Sequence, residues 1–183
     1  MSDLSVTDLS VTETPWLEGD VLSGVRERVP MVYVDALPVR LDSQARVSEV
    51  GLLLRAMPDG TVSRAVVSGR VLYGETIREA LLRHLYKDLG NECDPRLPPQ
   101  PAPYTVAEYF PDPELTGFHD PRQHAVSLVY LVPIDGVCSP SPGSLDFTWV
   151  TPQEAASAAV RAEMTGGQDR LVVLGLAFAG CLP

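Results

Sequence analysis

The sequence predicts an α/β domain in which a mixed β-sheet lies between helices. Three observations carry that expectation. Short apolar or alternating runs bounded by Pro, Gly, Asp and Ser recur along the chain, as strands do. One segment, residues 75–89, instead has apolar residues at Ile77, Leu81, Leu85 and Leu89, the spacing of one helix face. Two further helical patterns close the chain, so strands and helices alternate and neither segregates to one half. At 183 residues this is one domain, residues 31–183, with residues 1–30 as an N-terminal extension carrying a short helix.

Bulk properties narrow the function classes. A net charge of −10 argues against a nucleic-acid surface, which needs clustered Lys and Arg, although local basic spots can still hold a phosphate. Cys93, Cys138 and Cys181 lie far apart, the pattern of reduced thiols and of neither a disulfide framework nor a thiolate metal site. The N-terminus lacks a basic segment followed by an apolar run, and the apolar stretch Leu171 to Leu182 is shorter than the roughly 20 residues of a membrane helix. The expectation is a cytoplasmic protein with no membrane partner.

In chain order, residues 3–7 and 8–12 repeat DLSVT, two copies that do not make a solenoid and are expected to form an extension. Pro15 to Val29 reads as a short helix with Trp16, Leu17, Val21, Leu22 and Val25 on its apolar face, weakened by Gly19 and Gly24. Residues 31–41 read as a strand that Pro38 should end or confine to a sheet edge. Val50 to Met57 and Thr61 to Ser68 form a hairpin about the turn Pro58-Asp59-Gly60. Helix 75–89 follows, with Thr76 placed to cap it and Gly90 to stop it.

The proline-rich segment 94–103 can be neither helix nor central strand. Tyr104 to Phe110 and Ala125 to Pro133 are the next strands, joined by a long polar loop at 111–123. After a turn cluster at Ser139 to Ser144, residues 145–150 form a last strand. Thr151, Pro152 and Glu154 then open an alanine-rich helix expected to reach about Met164. Gly166-Gly167 breaks it, and an apolar helix spans about 168–179.

The stretch from Gly69 to Gly90 resembles the Nudix box, in which a Gly, a Glu, an Arg-Glu pair, a Glu-Glu pair and a final Gly stand at fixed spacing. Gly69, Glu75, Arg83, Leu85 and Gly90 fall on that frame without a gap. Where the box has the Glu of Arg-Glu the chain has His84, where it has Glu-Glu the chain has Lys87 and Asp88, and Asn91 replaces the last apolar residue. The order of strands about the helix, and the Trp149 strand running into a helix, also resemble the Nudix sandwich, over roughly residues 31–180.

The resemblance implies a carboxylate cluster that holds divalent cations against a diphosphate. Asp88 is the one remnant metal ligand at those positions, and with His84 one turn away it is the candidate catalytic pair. Lys87 brings a covalently attached positive charge where the family places carboxylates, so no tightly bound cofactor is expected, and magnesium or manganese is disfavoured. Lys87, Arg83, Arg70, Glu114 and His124 are the candidate ligand-binding side chains. Gly69, Glu75, Arg83 and Gly90 are the structural frame, Glu75 and Arg83 fixing the loop on the helix.

Asp112, His119, Asp120 and Arg122 lie in the same long loop, and Tyr104, Tyr109, Phe118 and Trp149 are aromatic residues that can stack a ring or fill the core. The expected partner is a small molecule containing a diphosphate, such as a nucleoside diphosphate derivative, with metal-dependent hydrolysis weak or absent. Two alternatives stand beside it. One is an active hydrolase whose missing carboxylates are replaced from the 111–124 loop. The other is a non-catalytic interaction or regulatory domain. Family members are often homodimers.

Overall fold

The computed structural model describes residues 17, 19–56, 60–140 and 144–183. The repeat at 3–12, Trp16, the Pro58-Asp59 turn and part of the 139–144 cluster lie outside the described residues. The core is a seven-stranded mixed sheet in the order β3-β2-β1-β6-β5, with β4 paired to β1 and β7 to β2. Its axis is β1 (Met31–Leu41), parallel to β6 (Ala125–Pro133) from Met31 opposite Ala125 to Val39 opposite Pro133. β2 (Val47–Ala56) turns back on β1, and β5 (Thr105–Tyr109) on β6, both antiparallel.

Pro38 lies inside this central strand, where an edge or an end was expected. The explanation is in the register. Met31 donates to the His124 carbonyl and Val39 accepts from Ile134, so odd-numbered β1 residues bond toward β6 and even ones away from it. On the far side, pairing with β4 ends at Ala36 and pairing with β2 begins at Val39. The missing N–H of Pro38 faces the gap between two partner strands, where no ladder bond is required.

The expected return strand at 61–68 is likewise two strands. β3 (Val62–Ala65) pairs with β2, and β4 (Val67–Arg70) crosses to pair with β1. The break is at Val66, fully buried, whose N–H is taken by the Gln168 side-chain oxygen at 3.1 Å. This crossing delivers Ser68, Gly69 and Arg70 to the middle of the sheet's end.

Helix α2 (Ile77–Leu89) packs on one face, where Leu81, Leu85 and Leu89 meet Val34, Ala36, Val67 and Val132. Thr76 caps it, accepting from the Glu79 N–H while the Glu79 carboxylate accepts from the Thr76 N–H. The opposite face is covered by α3 (Pro152–Ala156), α4 (Ala158–Ala162) and α5 (Gln168–Phe178), with Ala155, Met164, Leu171 and Leu176 on Leu37, Val39 and Val129. Strand β7 (Asp146–Val150) runs into α3. The expected single helix from 151 to 164 is divided at Ser157, whose backbone is extended (ψ 148°) and whose hydroxyl donates to the Glu154 carbonyl while accepting from the Val160 N–H.

The N-terminal helix, α1 (Gly19–Arg26), buries no residue, although Leu22 reaches the cleft described below. Among the described residues no helix is long and apolar enough to cross a membrane.

Gln168→Leu should leave the Val66 N–H buried without an acceptor and lower unfolding free energy by about 1–3 kcal/mol. Urea denaturation of the two proteins measures this directly, and an unchanged midpoint would show that the strand break does not depend on Gln168.

Candidate functional site: a cationic cleft at the end of the sheet

The loop between β4 and α2 is tied to the helix by a charged clamp. The Glu75 carboxylate accepts from Arg83 Nε at 2.6 Å and Arg83 Nη2 at 2.7 Å, and from the Leu72 N–H at 2.9 Å. Arg83 Nη2 also donates to the Arg70 carbonyl, 2.9 Å away. Two helical turns bring residues 75 and 83 to one side, so a single bidentate pair spans the loop. The Arg83 hydrogen bonds, with that from Leu72, hold the Glu75 pKa below the usual carboxylate range.

His84 lies one position on and faces the strand. It is almost fully buried, and its Nε2–H donates to the Arg70 carbonyl at 3.0 Å. Burial, with Arg83 and Lys87 nearby, lowers its pKa, so the ring is held neutral. The ring occupies the space a side chain at residue 69 would need: a Cβ on Gly69 would stand 1.8 Å from His84 Cε1. Glycine is required there by close approach, not by backbone conformation.

Asp88, one turn further, is buried and bound to a residue that sequence spacing does not reveal. Arg55 of β2 reaches across to it, with Nη2 at 2.5 Å from Asp88 Oδ2. As arranged, these side chains leave one open ligand atom, His84 Nδ1, and no open carboxylate for a divalent cation. Asp88 is paired with a guanidinium, His84 Nε2 is engaged by a carbonyl, and both Glu75 oxygens are taken by the clamp. Among the described residues no three His, Cys, Asp or Glu side chains gather where they can hold a metal ion.

Instead, a cavity of about 420 Å³ opens between this helix face, β4 and α1. Arg26, Arg55, Arg70, Lys87, Arg122 and His84 line it, and among the described residues its wall has no carboxylate. Arg55 is offset by Asp88, and Arg122 by a two-pronged pair with Asp120 at 2.9 Å. Arg26 and Lys87 have no carboxylate partner among the described residues. A positive cavity thus persists in a chain of net charge −10.

A second cavity of about 500 Å³ adjoins it, sharing Tyr33, Ser68, Arg122, Thr165 and Gln168. Its wall includes the fully buried Asp35, which receives the Tyr109 hydroxyl at 3.3 Å. Burial raises the Asp35 pKa despite the hydroxyls of Ser68, Ser127 and Tyr109. His119, Asp120 and Gln123 come from the long loop. Burial works against the Asp120 charge, but Arg122 and Gln123 together keep its pKa low.

The structure brings His84, Lys87 and Arg70 together at the first cavity, with Asp88 behind them on Arg55. Arg83 is turned into the clamp. Glu114 and His124 line neither cavity: Glu114 is exposed in a turn with Asp112, and His124 stacks on Phe110 at 4.3 Å. Of the four aromatic candidates, only Tyr109 lines the cleft. Tyr104 donates to the Leu171 carbonyl, Phe118 packs in the core beneath Arg170, and Trp149 lies against Phe147 and Arg40. Arg26, Arg55, Asp35 and Gln123 carry no motif, being drawn from four separate elements.

Residues 12–181 match the model of a family described as a domain of unknown function, DUF4916. The chain belongs to this family. A crystal structure from Jonesia denitrificans DSM 20603, described as a possible asymmetric diadenosine tetraphosphate hydrolase, is 55% identical to this DUF4916 protein. It superposes with a TM-score of 0.83, over 85% of this chain and 98% of that one. A NUDIX family hydrolase from Clostridium perfringens is 14% identical, with a TM-score of 0.59 over 82% and 98% of the two chains. The NUDIX domain of Shewanella oneidensis NrtR, solved with ADP ribose, is 15% identical, with a TM-score of 0.59 over 82% and 89%. The fold is thus the Nudix fold. No curated protein sequence matches the chain.

Two expectations follow for the DUF4916 frame. Gly69→Ala should destabilise by about 1–3 kcal/mol through overpacking on His84, and His84→Ala in the same chain should recover part of that loss. A double-mutant cycle by thermal melting reads the coupling, and strict additivity would refute it. Arg83→Ala should cost about 2 kcal/mol at neutral pH. Because the folded Glu75 pKa is depressed, its contribution is complete above the unfolded value of 4.5 and fades as pH falls through the folded one. The gap between wild type and Arg83→Ala should therefore narrow in acid, as measured by denaturation at stepped pH.

Proposed function

We propose that this domain binds a diphosphate-containing small molecule of the nucleoside diphosphate class, using fixed protein cations where Nudix hydrolases use metal ions, with hydrolysis weak or absent. The observation that carries the reading is the cavity wall: five Arg and Lys side chains with His84 and no carboxylate among the described residues. Arginine and lysine hold phosphate oxygens by charge-assisted hydrogen bonds. A dication brought to the same place would meet Lys87 and Arg55, at an opposing energy of about 4 kcal/mol per unit charge at 4 Å and an effective dielectric of 20. The related structures support the ligand class, one being described as a possible diadenosine tetraphosphate hydrolase and another holding ADP ribose.

A second reading, hydrolysis with groups of the 111–124 loop replacing the box carboxylates, is favoured by one observation: His119 and Asp120 line the adjoining cavity. Turnover of ADP-ribose or diadenosine tetraphosphate that is lost in His119→Ala would decide for it.

Calorimetric titration tests the main proposal. Inorganic diphosphate and ADP should bind equally well in EDTA and in millimolar magnesium. Affinity should fall steeply with salt, and Lys87→Ala and Arg26→Ala should each weaken it by roughly tenfold, or about 1.4 kcal/mol. Binding that appears only with magnesium, and disappears in Asp88→Ala, would overturn it.

A further inference from the structure

The DLSVT repeat belongs to a stretch with a charge balance of its own. Its acids stand five apart, at Asp3 and Asp8, and the same spacing continues through Glu13 and Glu18. With Asp20, residues 1–20 hold five carboxylates and no Lys or Arg, half of the chain's net charge of −10. The first basic residue of the chain is Arg26, and it lines the cationic cleft.

The acidic stretch thus leads directly into that cleft. Residues 1–16 lie outside the described residues, but α1 begins at Gly19, buries no residue, and contributes Leu22 and Arg26 to the cavity wall. Along the helix, Gly19 is about 10 Å from Arg26 at roughly 1.5 Å per residue. Glu13 precedes Gly19 closely enough to lie at most about 20 Å from it, and Asp8 at most about 37 Å. Both can therefore return over the length of α1. The wall they would meet has no carboxylate among the described residues, and Arg26 and Lys87 have no carboxylate partner there.

We propose that residues 3–13 fold back across α1 and place an acid of the repeat, Asp3, Asp8 or Glu13, in the cationic cleft as an internal competitor of the diphosphate. The proposal rests on the proposed diphosphate site and adds its regulation. Carboxylates meet Arg and Lys through the same charge-assisted hydrogen bonds as phosphate oxygens. The tether supplies the acids at an effective concentration of about millimolar, so a weak contact suffices. Equal spacing gives several registers, any one of which closes the site. Diphosphate, with more charge than one carboxylate, displaces the segment. With about a tenth of the molecules open, the apparent affinity for diphosphate is reduced about tenfold.

Lys87 is the only lysine of the chain and is exposed, so the contact can be read by carbodiimide coupling, which condenses a carboxylate with an adjacent amine. From monomeric full-length protein coupled at low salt, trypsin should release residues 1–26 joined to residues 84–96, with the link at Asp3, Asp8 or Glu13. Coupling in about 0.5 M salt should suppress it. Absence of that species, or a link confined to Glu18 and Asp20, overturns the proposal. In calorimetry, Asp3→Asn/Asp8→Asn/Glu13→Gln should bind inorganic diphosphate about tenfold tighter than wild type. Glu92→Gln/Asp94→Asn/Glu108→Gln makes the same change of charge at exposed residues that line neither cavity. It should gain less than about twofold, since exposed charges beyond a Debye length are screened. Equal gains in the two variants would reduce the effect to net charge and also overturn the proposal. If no variant binds diphosphate, the proposed function fails. The coupling needs neither diphosphate nor a variant, and it still decides whether the segment occupies the cleft.

Discussion

The site depends on one constraint, the fixing of the β4–α2 loop to the face of its own helix. Glu75 and Arg83 make the fixing, and the Arg70 carbonyl receives both Arg83 and His84. Residues 68–70 form at once the end of a strand paired to β1 and the wall of the cleft. Were the loop free, Gly69 would not stay against His84, and Arg70 would not be presented beside Lys87. A charged pair suits this task because it is directional and bidentate, holding an irregular segment that has no ladder of its own. Both partners are largely shielded, Glu75 at 12% side-chain exposure, so solvent screens the pair less than an ordinary surface bridge.

Around that frame the charges are arranged by subtraction. Asp88 is paired with Arg55 and Asp120 with Arg122, and burial raises the Asp35 pKa. What is left over is positive. In a chain of net charge −10 the cleft is a local concentration of cations. The adjoining cavity shares a wall with it, Tyr33, Ser68, Arg122, Thr165 and Gln168 lining both.

The fold was legible where local pattern decides it. Helix α2 announced itself by apolar residues four apart, by Thr76 at its start and by Gly90 at its end; the Glu75–Arg83 link was implied by the resemblance to the Nudix box, their two-turn separation placing both on one face. Legibility failed where a distant residue decides. Nothing in 61–68 tells that the strand changes partner at Val66, because the acceptor that makes the break affordable is Gln168, a hundred and two positions away. Pro38 read as an edge signal because the rule concerns a missing donor, and only the register shows that no acceptor waits there. The charges of the cleft were half visible: Arg70, His84 and Lys87 share a loop and helix, whereas Arg26, Arg55 and Arg122 converge from α1, β2 and a long loop.

The Arg55–Asp88 pair ties the end of α2 to β2 behind the cleft. Asp88 has 5% side-chain exposure, and removal of Arg55 would leave its carboxylate buried without its partner. Placing Glu at residues 84 and 87 while Arg55 remains would set up competition between a dication and a guanidinium for Asp88. The guanidinium is covalently attached and need not be recruited from solution. His84 is held in the same way, since an acid in its place would lose the N–H that the Arg70 carbonyl accepts. His84, Lys87 and the arginine on β2 thus meet at one cavity, on a loop and helix held by the Glu75–Arg83 clamp.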